Sequence, residues 1–262
     1  MRDRQDGGSL PRLVRIMQQL LGPDGCPWDR EQTLQSLRPY VIEEAHEVVE
    51  AIDRGRPGEL REELGDLLLQ IVFQSELARA HGWFGPDDVI AGICDKMERR
   101  HPHVFGEEKA ATSDDVRMRW EAIKEREKGE RGLLDGVPVA LPSLLRATKI
   151  GQRAARVGLD WDAAEGARAK VSEELAELDQ ACADGDRSAV ERELGDVLFA
   201  LSNLSRKLDI DPEAALRATL ARFAERVGAV EVLAREQDGR ALSELTSAEL
   251  DELWNAVKRT ES

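Results

Sequence analysis

An acidic pattern written twice governs what this chain can fold into. Glu43-Glu44-x-x-Glu47 is followed by Glu63-Leu64-Gly65-Asp66, and Glu173-Glu174-x-x-Glu177 is followed by Glu193-Leu194-Gly195-Asp196. In both copies the last Glu of the first element and the Glu of the second lie sixteen residues apart, and the quartet recurs 130 residues later. Residues three apart share a helix face, so Glu44/Glu47 and Glu63/Asp66 each present two carboxylates side by side. Two such helices folded into a hairpin bring four carboxylates around one cavity. Glu174, Glu177, Glu193 and Asp196 do the same in the second copy. All-oxygen donor sets suit hard cations, Mg²⁺ or Mn²⁺, and magnesium commonly takes substrate phosphates as further ligands.

The pattern around the acids is helical. Apolar residues at 41, 42, 45, 48, 49 and 52 form one stripe between Pro39 and Ile52. Arg54-Gly55-Arg56-Pro57-Gly58 breaks it, and a second helix is expected from about Glu59. Asp184-Gly185-Asp186 plays the same part in the second copy. Breaks this short predict antiparallel neighbours, a helical hairpin. Charged residues make up 34% of the chain, with a single Tyr and five Phe, so strand signals are nearly absent. The fold expected is all-α, two tandem helical bundles, each with an acidic hairpin.

More than the acids repeats. Trp28-Asp29 precedes the first hairpin and Trp161-Asp162 the second; Lys96/Arg100 and Arg222/Arg226 follow them, and each half closes on Trp120 to Lys124 or Trp254 to Lys258. The offset drifts between 126 and 134 residues, so loops differ in length while the elements persist. Three glycines and two prolines between Gly129 and Ser143 mark the boundary. The expected division is a domain over 1–128, a linker over 129–142 and a second domain over 143–262.

Net charge of -15 argues against nucleic-acid or anionic-membrane partners, which would repel the chain. A phosphate substrate stays open if a cation inverts the local field. Cys26, Cys94 and Cys182 form no disulfide framework or zinc-ligand spacing, and no apolar run reaches membrane-spanning length. A reducing cytoplasm is the expected home.

Solvated acids on helix surfaces are the plain alternative to a metal site, since about one residue in five is acidic. Against it stand Leu67, Leu68, Leu69, Ile71, Val72 and Phe73, which point in nearly every direction after Asp66 and predict a helix covered on several sides. Asp66, and Asp196 by the same pattern, are therefore expected away from bulk water. Gly65 and Gly195, mid-helix, predict close approach by a neighbouring helix or a ligand. Glu43 lies nearly opposite the apolar stripe, either as a water-activating base or as a solvated residue.

Lys96/Arg100 and Arg222/Arg226 would grip phosphate oxygens or serve as ordinary surface charge. Trp120/Lys124 and Trp254/Lys258 would hold a base and a phosphate, or be a packed Trp with a snorkelling Lys. His101-Pro102-His103 reads as a loop or packing element, and Cys26 has no nearby His to make it a nucleophile.

Cys26-Pro27-Trp28-Asp29, the two acidic hairpins, Glu98-Arg99-Arg100-His101-Pro102-His103-Val104-Phe105, Val157-Gly158-Leu159-Asp160-Trp161 and the closing Trp254-x-x-x-Lys258 together resemble the MazG family of the all-α NTP-pyrophosphatase superfamily. The resemblance runs from Leu13 to Lys258. It implies Mg²⁺-dependent conversion of nucleoside triphosphates to monophosphates and pyrophosphate by a homodimer whose helices complete the site. It implies metal ligands at Glu174, Glu177, Glu193 and Asp196, with Glu44, Glu47, Glu63 and Asp66 as N-terminal counterparts. Substrate contacts would fall on Arg222, Arg226, Trp254 and Lys258, with Trp161 beside them. Arg222 stands where the family pattern has lysine. The family usually credits the C-terminal half with hydrolysis, but both quartets are intact here. A narrower pyrophosphohydrolase (for dUTP, dCTP or a phosphoribosyl nucleotide) is one alternative, and a non-catalytic nucleotide-binding regulator is another.

Overall fold

Prolines set the helix starts of the N-terminal half. In the computed structural model, which describes residues 8–107, 112, 115–116, 119–120, 123, 127 and 132–260, Leu10–Leu21 forms α1, Pro27–Glu31 α2, Arg38–Asp53 α3, Pro57–Ala80 α4, Pro86–Arg100 α5 and Pro102–Phe105 α6. Proline fits a first turn because its missing N–H would have no intrahelical partner there and its φ is already helical. Gly55, at φ 63°, turns the chain between α3 and α4.

The C-terminal half starts its helices with aspartates as well. Ser143–Arg156 forms α7, Ala164–Asp184 α8, Arg187–Lys207 α9, Pro212–Asp238 α10 and Ser247–Thr260 α11, with a 3₁₀ turn at Leu242–Glu244. Asp186 accepts from the N–H groups of Ser188 and Ala189, at 3.0 and 3.1 Å, and caps α9. Asp211 does the same for α10 through Glu213 and Ala214. Each cap contributes about 1 kcal/mol. Among the described residues there is no strand, and no helix is long and apolar enough to cross a membrane.

The chain divides into two units, Met1–Gly129 and Glu130–Ser262. In the first, α4 packs against α3, α1 and α5, and Met17, Leu37, Val72 and Phe73 form the centre of its core. In the second, α9 packs against α8 and α7, while Val230, Ala234, Leu253 and Val257 close α10 onto α11. Arg206 donates to both oxygens of Asp160, at 3.1 and 2.5 Å, and Lys207 lies 2.6 Å from it. The Arg206 guanidinium holds the Asp160 carboxyl down at about 2 despite its burial. This knot ties the loop ahead of α8 to the end of α9.

One expectation is overturned here. Leu64, Leu68 and Ile71 are 49%, 40% and 47% exposed, and Asp66 is exposed with them. On α9, Val197 and Ala200 are buried, but Leu194, Leu198, Leu201 and Asp196 are exposed. The neighbours of α4 and α9 cover one side of each helix and leave an apolar strip open. Gly65 and Gly195 lie along the open strips, and an added Cβ at either would meet nothing within 4 Å. Among the described residues of each unit, neither close approach to these glycines nor shielding of the aspartates is supplied.

Candidate functional site

The hairpins set the acids facing one another. Helices α3 and α4 run back on each other through the Gly55 turn, so Glu44 one turn before Glu47 meets Glu63 one turn before Asp66. Carboxylate oxygens of Glu44, Glu63 and Asp66 lie within 4.8 Å of one another. Glu47 falls outside that trio but shares a hydrogen bond with Glu44. Burial, then the charges of Asp66 and Glu47, push the Glu44 carboxyl up. Burial, then Glu47 and Asp66, do the same to Glu63. Carboxylates crowded this way resist ionising together, and a divalent cation relieves them.

Helices α8 and α9 build the second cluster on the same plan with a different membership. Glu174, Glu177 and Glu193 bring carboxylate oxygens within 4.8 Å of one another, and Asp196 falls outside. Burial and the neighbouring Glu174 push Glu177 up. Glu174 is 6% exposed, and one turn ahead of it Lys170 places Nζ 2.7 Å from its Oε1 and 2.8 Å from Glu173 Oε1. These two carboxylates push the Lys170 ammonium well above its ordinary value. Lys170 escaped the reading of the sequence, although its i, i+4 spacing to Glu174 was a signal. Both trios are oxygen-only and span the distance one hard cation can bridge, so the residues fit Mg²⁺ or Mn²⁺ chemically.

The basic and aromatic candidates occupy other elements. Arg226 on α10 stands over the Trp254 ring of α11, 5.9 Å from its centroid, and Phe223 lies 5.3 Å away on a tilted plane. With Val227, Leu242 and Leu250 these rings line a shallow apolar recess. Arg222 donates to Thr219 Oγ1 at 3.1 Å, and Lys258 is exposed one turn beyond Trp254. Trp161 lies apart, in the loop ahead of α8, where its ring covers Gly166 so closely that a Cβ there would collide with it. The structure thus brings Arg226 and Trp254 together and sets Trp161 at the start of the helix carrying Glu174 and Glu177.

In the N-terminal unit the equivalent arginine also covers a tryptophan. Arg100 stands 5.3 Å over Trp120, and Arg99 and Arg100 both donate to Glu127, at 2.7 and 2.5 Å. The two guanidinium groups hold the Glu127 carboxyl down at about 2. His101 packs edge-on against Trp120 at 4.8 Å and its Nδ1 lies 2.7 Å from the Met97 carbonyl, a packing role. Lys124 lies outside the described residues.

A profile of the MazG nucleotide pyrophosphohydrolase domain matches residues 32–105 and again 163–230. Over 257 residues the chain is 43% identical to the nucleoside triphosphate pyrophosphohydrolase/pyrophosphatase MazG of Thermotoga maritima, covering 97% of this chain and 98% of that protein. Over 258 residues it is 42% identical to the nucleoside triphosphate pyrophosphohydrolase of Escherichia coli K12, covering 96% and 98%. The chain belongs to the MazG family. It is, by that membership, a nucleotide pyrophosphohydrolase. It is also 44% identical over 249 residues to the uncharacterized protein YabN of Bacillus subtilis, covering 94% of this chain and 51% of that one. The first MazG match holds α3 to α6 and the second holds α8, α9 and most of α10. Both acidic clusters, Arg100, Arg222 and Arg226 fall inside the matches. Trp120, Trp161, Trp254 and Lys258 fall outside.

Proposed function

We propose that the protein hydrolyses nucleoside triphosphates to monophosphates and pyrophosphate, using Mg²⁺ held by the C-terminal quartet. The observation that carries this reading is the trio Glu174, Glu177 and Glu193, whose carboxylate oxygens lie within 4.8 Å on a duplicated hairpin. The full-length similarity to proteins named as nucleoside triphosphate pyrophosphohydrolases supports the substrate class. Glu174, Glu177, Glu193 and Asp196 would hold the metal, and Glu44, Glu47, Glu63 and Asp66 would hold one in the N-terminal unit. When bound, Mg²⁺ supplies charge stabilisation to the pyrophosphate leaving group. Arg222, Arg226 and Lys258 offset the outer phosphate charges, the rim of Trp254 offers an apolar edge to the base, and Trp161 steadies the start of α8.

The working form in this reading is a homodimer. Leu64, Leu68 and Ile71 on α4, and Leu194, Leu198 and Leu201 on α9, form strips too apolar to favour water, next to the acids themselves. A second copy laid on those strips would give Asp66 and Asp196 the shielding that a single unit withholds. The chain would work in the cytoplasm without nucleic-acid or membrane partners, in keeping with its net charge of -15 and three free thiols.

A panel of nucleotides with Mg²⁺, assayed for both monophosphate and pyrophosphate, tests the reaction. Turnover of several nucleoside triphosphates is expected. Turnover of one base alone would indicate a narrow hydrolase, and none would indicate a binding protein. Orthophosphate as the product would overturn the cleavage position. Sedimentation equilibrium tests the dimer, and a monomer at micromolar concentration would overturn it.

A further inference from the structure

Tyr40 and Lys170 hold the same place in the two hairpins, four residues ahead of Glu44 and Glu174. The consequences differ. Lys170 is an internal cation already seated on the second cluster, with Nζ 2.7 Å from Glu174 and 2.8 Å from Glu173. Glu174 is buried, so its carboxylate has little water to exchange for the ammonium. Tyr40 has no charge to give. Its ring instead meets Trp28 edge-on, with centroids 6.4 Å apart. Among the described residues no ion pair reaches Glu44, Glu63 or Asp66.

We infer that Lys170 is a built-in competitor for the metal, so that the second quartet binds a free divalent cation less tightly than the first. The inference rests on the reading of both quartets as metal sites and goes beyond it to their ranking. A metal entering the second cluster must displace an ammonium from Glu174 or accept one as a close neighbour. Either event costs binding free energy. Displacing a partly exposed ion pair of this kind lowers affinity by roughly fivefold. Entry to the first cluster meets no such competitor among the described residues, and the crowded Glu44, Glu63 and Asp66 gain directly from the cation. The two sites therefore fill in sequence as metal is raised, the N-terminal one first.

The test is Mn²⁺ titration of the full-length protein, reading free ion by electron paramagnetic resonance, with one quartet disabled at a time. With Glu63→Gln and Asp66→Asn in place, the remaining C-terminal site should bind Mn²⁺ about fivefold more tightly when Lys170→Gln is added. Lys170→Arg keeps a cation there and should leave affinity near that of Lys170. With Glu193→Gln and Asp196→Asn in place instead, Tyr40→Lys should weaken the N-terminal site by a similar factor. Far-UV circular dichroism confirms that each variant is folded. Unchanged or weakened affinity in Lys170→Gln, with each quartet still binding Mn²⁺, would overturn the competition while leaving the metal reading intact. Absence of Mn²⁺ binding at either quartet in the unsubstituted hairpins would overturn the metal reading and the inference with it.

Discussion

In the first hairpin Tyr40 packs edge-on against Trp28 one turn ahead of Glu44, and in the second Lys170 takes that place and pairs with Glu174. Downstream, Arg100 in the first unit is held by Glu127, a carboxylate, while it also covers Trp120. Among the described residues, then, no ion pair reaches Glu44, Glu63 or Asp66, whereas Glu174 is paired with Lys170. The helices, their turns and the acid spacing are shared. Duplication has kept the scaffold and changed the counter-ions, and counter-ions decide what each site accepts from solution.

The largest expected effect is on turnover. Glu193→Gln with Asp196→Asn should reduce pyrophosphate release by about 10³-fold, because the charge-stabilising centre is lost. Glu63→Gln with Asp66→Asn should cost at least tenfold less than that. Equal losses in the two double variants, measured with the same nucleotide, would break the asymmetry between the units.

Stability gives the next contrast. Asp160 sits immediately before Trp161, whereas Pro27 holds the matching place before Trp28. Asp160→Asn would leave the half-buried charges of Arg206 and Lys207 without their anion, at a cost of about 3 kcal/mol to the second unit alone. The pH sign follows from the lowered value of about 2. The Asp160 contribution is fully present above the unfolded carboxyl value near ~3.9 and is lost as pH falls through about 2. Calorimetry should therefore show the C-terminal transition dropping in acid, and Asp160→Asn should flatten that dependence. A steep acid loss retained in the variant would assign it to other groups.

Much of this was legible in the sequence, and the failures are instructive. Gly55 and Asp184-Gly185-Asp186 announced both hairpins, because glycine and aspartate have local conformational reasons to be there. The all-α, tandem organisation followed from the same periodicity. The shielding of Asp66 did not follow. A run such as Leu67 to Phe73 tells how much of a helix is apolar, not which neighbour covers it, and α4 turns out to leave Leu68 and Ile71 open. Lys170 was legible in principle, one helical turn from Glu174. Glu127 was not. It reaches Arg100 across 27 residues of sequence, a meeting that only tertiary folding arranges.

That meeting yields a smaller effect. Glu127→Gln should free the guanidinium groups of Arg99 and Arg100 for phosphate and tighten nucleotide binding by the N-terminal unit by about threefold. The readout is a fluorescent triphosphate titrated onto protein carrying Glu193→Gln and Asp196→Asn. Because Glu127 stays ionised down to about pH 2, its hold on the arginines persists throughout the neutral range. A weaker affinity in Glu127→Gln would mean that the carboxylate positions the arginines instead of occupying them.

The finest distinction lies in pH. Glu44 and Glu63 are both pushed up, first by burial and then by neighbouring carboxylates. For an acid shifted that way, the favourable contribution is fully present below the unfolded value near ~4.3 and is lost as pH rises through the raised value. The metal-free first hairpin should therefore loosen slightly as pH climbs out of the carboxylate range. Mn²⁺, which takes the ionised form, should recover that loss, so its apparent affinity should climb with pH. In the second cluster Glu177 is pushed up as well, but Lys170 already neutralises part of the charge of Glu174. Between pH 4 and 7 the first quartet should then gain about twofold more Mn²⁺ affinity than the second, measured on the two single-quartet proteins. A steeper gain in the second quartet would mean that Lys170 does not offset the charge of its acids.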